Sequence, residues 1–141
     1  MDDALELIGR AFGQAGLHAA LGMELVSLDA NGCKVRVSLD ERHLNLARSV
    51  HGGVVASLVD TAIGLAFVPT LIPPAGMATP TTSLTVEFVA PIRAGAKELA
   101  ATARVVRAGK HTGFGEAEVV CDGTLVAKAL GTVAMVPFRS G

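Results

Sequence analysis

The sequence predicts an α+β fold: a mostly antiparallel sheet laid against one long apolar helix, with a short helix at the N-terminus. Three observations predict it. A run from about Gly52 to Phe67 has helical length and carries a single charge, Asp60. Segments on both sides of that run alternate apolar and polar residues with the period of a strand. Several of these segments are joined by tight-turn signals, among them the hairpin dipeptides Asn31-Gly32 and Asp122-Gly123.

Taken in order, residues 2 to 13 place Leu5, Ile8 and Phe12 at helical spacing behind an acidic start. Residues 16 to 22 (GLHAALG) are read as a further turn of helix. The stretch MELVSLDANGCKVRVSLD reads as two strands joined at Asn31-Gly32; Cys33, Val35, Val37 and Leu39 face one way and Lys34, Arg36, Ser38 and Asp40 the other. A polar loop, ERHLNLARSV, leads to the long helix, which Pro69 ends. LIPPAGMATP is a turn-rich connection. Four extended segments follow, 81–90, 98–107, 111–121 and 124–136, with Gly109 at one turn and Asp122-Gly123 at another. Their order predicts a four-strand meander.

Bulk properties narrow the function classes. A chain of 141 residues suits one domain, residues 1–141, with most of its surface buried on folding. Half the residues are apolar, Trp and Tyr are absent, and only five Phe fill gaps between small and branched side chains. The 12 basic and 13 acidic residues are dispersed, so no basic stripe or aromatic platform suggests nucleic acid. Residues 54 to 74 are apolar enough to raise the question of a membrane, but Asp60 in the middle and three prolines at the end argue against a span. The acidic N-terminus is unlike an export signal, and Cys33 and Cys121 sit at interior strand positions. A reduced, cytoplasmic compartment is therefore expected.

The central helix raises the functional question. A buried carboxylate costs several kcal/mol, about what it takes to require a partner. Asp60 either reaches solvent or a core hydrogen bond, or it is a desolvated group serving as general base or nucleophile. Gly53, Ala56, Ser57 and Gly64 leave room beside it. At the helix start, His51-Gly52-Gly53 offers backbone N–H groups where the helix dipole favours a developing oxyanion. Asp60 lies nine residues beyond His51, roughly 13 Å along a helix, too far for one small reacting group to touch both. Either one end alone is used, or two chains contribute opposite ends, which predicts a homodimer.

The pattern N-L-A-R-S-V-H-G-G-V-V-A-S-L-V-D-T-A, followed by T-T-S-L-T-V-E-F-V-A-P-I-R-A-G, resembles the hotdog-fold acyl-CoA thioesterases of the PaaI type across nearly the whole chain. That resemblance implies a sheet wrapped around the long helix and hydrolysis of acyl-CoA, with no cofactor beyond the coenzyme A of the substrate and no metal. It implies that Asp60 of one subunit activates water or attacks the thioester carbon, and that Thr81 helps hold that water. Gly52 or Gly53 of the other subunit then polarises the carbonyl, with Asn45 at the thioester and His51 shaping the corner. R-A-G-K-H-T at 107–112 resembles the loop that approaches the coenzyme, so Arg107, Gly109, Lys110, His111 and Thr112, with Ser83, Phe88, Pro91 and Arg93, are expected to bind the substrate or its coenzyme, Phe88 also beside the acyl group. Val54, Ile63 and Phe67 are expected to wall the acyl pocket. A homodimer, and a dimer of dimers, is the expected assembly. The alternative is a non-catalytic acyl-CoA-binding module of the same fold. Serine-hydrolase, activated-cysteine and metal routes lack their motifs in this sequence.

Overall fold

A computed structural model describes residues 2–71 and 76–138, so part of the turn-rich connection lies outside the described residues. Two short helices, α1 (Asp2–Phe12) and α2 (Gly16–Leu21), precede the hairpin of β1 (Met23–Asp29) and β2 (Gly32–Ser38). Of the apolar stripe on α1, Phe12 is buried and stacks on His18 with ring centroids 4.3 Å apart; the side chain of Leu5 lies outside the described residues. The long helix α3 (Gly52–Ala66) follows, then β3 (Met77–Ala78), β4 (Thr81–Phe88), β5 (Glu98–Ala108), β6 (Thr112–Cys121), β7 (Thr124–Ala134) and β8 (Val136–Pro137).

Six strands form one antiparallel sheet in the order β1-β2-β5-β6-β7-β4. The expected four-strand meander is corrected here: β5, β6 and β7 form one, but β4 pairs with β7 at the far edge and never touches β5. Alternation identifies a strand without naming its neighbour. The long helix separates β2 from β4, and β5 fills the place beside β2 instead.

Both hairpin dipeptides act, by different means. Asp122 and Gly123 both have positive φ, 48° and 86°, and close a two-residue turn between the paired Cys121 and Thr124. In the first hairpin the pair Asp29–Gly32 closes over Ala30-Asn31, so Gly32 begins the strand. A side chain on Gly32 would run into the carbonyl of Ala103 on the neighbouring β5, which fixes glycine there.

Helix α3 lies against the inner face of the sheet, with Val54, Val55, Leu58, Val59, Ala62, Ile63 and Ala66 buried. Gly52–Thr70 is long and apolar enough to cross a membrane, and in this fold that apolar surface forms the core. Glycines in the sheet admit the helix closely. Ile63 and Phe67 press on Gly113, Gly115 and Gly131, where a Cβ at Gly115 would stand 2.9 Å from Ile63 Cγ2. The opposite face, with Gly53, Ala56, Ser57, Asp60 and Gly64, is not sealed by this chain. The helix is therefore not wrapped on every side by its own sheet.

Candidate active site

Asp60 stands half-buried on the small-residue face of α3, and Thr81 Oγ1 donates a hydrogen bond to its Oδ1 at 2.5 Å. Strict alternation along β4 would point Thr81 outward with Ser83 and Thr85. A bulge between Thr81 and Ser83 prevents this: Thr81 pairs with the buried Val133, while Ser83 pairs with Thr132. The extra residue turns Thr81 toward the helix. Asp60 thus has a hydroxyl partner and remains open toward solvent.

The other end of α3 is built from its cap. His51 is the N-cap residue, and its Nδ1 accepts from the Gly53 N–H at 2.8 Å. The Val54 N–H goes to the His51 carbonyl at 2.9 Å, while among the described residues the Gly52 N–H donates to no acceptor. The Phe88 ring lies beside Gly52. Asn45 holds the preceding loop closed, its Oδ1 accepting from the N–H groups of Ala47 (2.9 Å) and Ser49 (3.2 Å) and from Ser49 Oγ. Among the described residues the Asn45 amide NH₂ donates to no acceptor. Asn45 and His51 line one open recess with Leu44, Leu46 and Ala47.

A residue that sequence reasoning passed over anchors this corner. His43 is fully buried, with Nδ1 accepting from the Asp40 N–H at 3.0 Å and Nε2 donating to the Leu21 carbonyl at 2.8 Å. Its own carbonyl accepts from the His51 N–H at 2.8 Å. The signal was an Asp with a side-chain acceptor three residues later, the capping-box spacing, with His in place of the usual Glu or Gln.

The structure thus gathers the candidates into two groups. Asn45, His51, Gly52 and Phe88 stand at the start of α3, joined by Arg93, which bridges to Ser49. Asp60 and Thr81 form the second group. The turn carrying Arg107, Gly109, Lys110, His111 and Thr112 lies toward that end of the sheet, where Met135 bonds to His111 and Ala134 to Pro80. Arg93 and Arg107 are separated by the length of β5, about 30 Å, so one chain does not bring them together. Ser83 and Pro91 are exposed.

Ile63 and Phe67, expected at the acyl wall, are 1 % and 0 % exposed in this chain and pack on the glycines of its own sheet. Val54 is likewise in the core. Neither cysteine is poised for nucleophilic chemistry: burial pushes the Cys33 thiol up to about 12, and burial also raises Cys121.

Comparison with known proteins places this geometry in a family. The Thioesterase superfamily model matches residues 48–128, which include every member of the two groups except Asn45. The acyl-coenzyme A thioesterase PaaI of Escherichia coli is 36% identical over 101 residues, 72% of this chain and 68% of that protein. The structure of the E. coli PaaI protein from the phenylacetic acid degradation operon superposes with a TM-score of 0.80 at 30% identity, covering 94% of this chain and 93% of the other. A mutant of the phenylacetic acid degradation protein PaaI from Thermus thermophilus superposes with a TM-score of 0.73 at 30% identity, covering 84% and 96%. The chain belongs to the thioesterase superfamily and is a thioester hydrolase of its PaaI-type hotdog branch.

Proposed function

We propose that this protein hydrolyses acyl-CoA thioesters to free acid and CoA, at sites completed between two copies of the chain. The observation that carries the shared site is the placement of two complementary groups on one helix. The Asp60–Thr81 pair and the open Gly52 N–H are both accessible, yet stand about 12 Å apart along α3. A thioester carbon cannot reach both in one chain. Two antiparallel copies of α3, meeting along the small-residue face, would bring Asp60 of one chain opposite Gly52 of the other.

In such a site the Gly52 N–H polarises the thioester carbonyl, aided by the helix dipole. Asp60 takes a proton from water as the water oxygen bonds to the carbonyl carbon, while Thr81 holds the carboxylate in place. Collapse of the tetrahedral intermediate breaks the C–S bond, and the proton passes to the departing thiolate. Asp60 as nucleophile gives the same products through a mixed anhydride that water then cleaves. The Asn45 amide NH₂ lies at the Gly52 side, where it can donate to the thioester or the water. Arg93 belongs to the Gly52 half and Arg107, Lys110 and His111 to the Asp60 half, so pairing of chains also brings basic groups from both toward the coenzyme's phosphates. Coenzyme A enters as part of the substrate, and the smallest active unit is a homodimer.

The test is thiol release from a panel of short, long and aromatic acyl-CoAs. Asp60→Ala and Asp60→Asn are expected to lose at least ~100-fold in turnover, the size of a lost general base. Near-normal rates in both variants would make Asp60 structural and end this reading.

A further inference from the structure

The two glycines after His51 look equivalent in sequence and are not equivalent in the fold. His51 has extended backbone (φ −59°, ψ 131°), the conformation of an N-cap, and its ring turns back over the first turn of α3. Acceptance by Nδ1 requires the lone pair there and places the ring proton on Nε2. Of the first three N–H groups of the helix, His51 takes two: Gly53 through its ring and Val54 through its carbonyl. Among the described residues, Gly52 is the one left over.

The ring also explains the second glycine. A Cβ on Gly53 would stand 2.9 Å from His51 Nδ1 and 3.1 Å from Cε1, so a side chain there displaces the ring. A Cβ on Gly52 would meet only the Phe88 ring edge, at 3.4 Å, an ordinary contact. From behind, the His51 N–H is pinned to the carbonyl of the sealed His43.

We propose that His51 is a positioning residue: by capping Gly53 it leaves the Gly52 N–H as the single free donor at the helix start and fixes its direction. This rests on the hydrolysis reading above, in which that N–H meets the thioester carbonyl. With Nδ1 occupied and Nε2 protonated, the imidazole is not the base of the reaction. Its contribution is geometric.

The first test needs no substrate. Gly53→Ala is expected to lower the melting temperature in the native background, because the new methyl group expels the ring. In a His51→Ala background the same substitution is expected to be neutral or stabilising, since Ala is the better helix former. An equal effect in both backgrounds would place the ring elsewhere and overturn the proposal. The second test is kinetic. Asparagine also accepts at an N-cap, so His51→Asn is expected to keep kcat within about threefold, while His51→Ala loses about tenfold or more in kcat with KM little changed. If His51→Asn is as impaired as His51→Ala, the ring itself acts on the substrate and the positioning role fails; it fails too if His51→Ala is fully active. A native protein that released no thiol from any acyl-CoA would sink the hydrolysis reading, and the positioning role with it, while the stability comparison would still report the cap.

Discussion

Thr81 and Asp60, on a strand and a helix 21 residues apart, are joined by a hydrogen bond that exists because β4 carries one residue more than its partner at that point. The bulge turns the threonine inward, and the hydroxyl then fixes the carboxylate rotamer. Thr81→Val keeps the shape and removes the donor. It is expected to lower kcat about tenfold in the thiol-release assay, with Thr81→Ser close to the native rate. Equal rates for valine and threonine would show that the carboxylate needs no such partner.

This pair also marks what sequence patterns can and cannot carry. The long helix, its small-residue face, the two hairpins and the inward set Cys33, Val35 and Val37 follow from periodicity and turn chemistry, and the structure has them. The place of β4 beside β7 does not follow, because alternation is the same whichever strand lies alongside. The inward turn of Thr81 is invisible for a related reason: a bulge is a count of residues against a partner, and the partner was unknown. Ile63 and Phe67 share the Asp60 side of the helix by spacing alone, but glycines at 113, 115 and 131 open the sheet and draw both into the core. His43 escaped because the capping-box spacing from Asp40 is read for Glu or Gln at its third position, and here a histidine fills it.

The core position of Phe67 has a measurable consequence. Phe67→Ala removes a fully buried ring packed on Gly113 and Gly115, and is expected to cost about 3–5 kcal/mol in chemical denaturation. Below its melting temperature the variant is expected to keep the native order of preference among acyl-CoAs. A reordered preference with little loss of stability would return Phe67 to the acyl wall.

Cys33 gives a pH prediction. The unfolded thiol ionises near its ordinary value of 9.0, whereas burial holds the folded thiol protonated up to about 12. Between those values the folded chain binds the additional proton, so stability is unaffected by this group below pH 9 and falls as pH rises toward 12. At pH 8 the native protein is expected to leave Cys33 unmodified by iodoacetamide, read by mass spectrometry, with activity retained. Fast alkylation with parallel loss of turnover would contradict the inert, interior assignment.

The shared site makes the strongest demand. Gly52→Pro removes the proposed carbonyl-polarising N–H at the first helical position, where proline is well tolerated, and the extended backbone of His51 suits a following proline. Alone, this variant is expected to fold and to lose about 100-fold or more in kcat. Asp60→Asn supplies the complementary defect. Each homodimer is then inactive, but a heterodimer has one site with both the native Asp60 and the native Gly52 N–H. Unfolding and refolding the two variants together is expected to restore about one quarter of native activity, since half of randomly paired dimers carry one intact site of two. No recovery, with heterodimers confirmed by native mass spectrometry, would place Asp60 and Gly52 in a single-chain site and contradict the account.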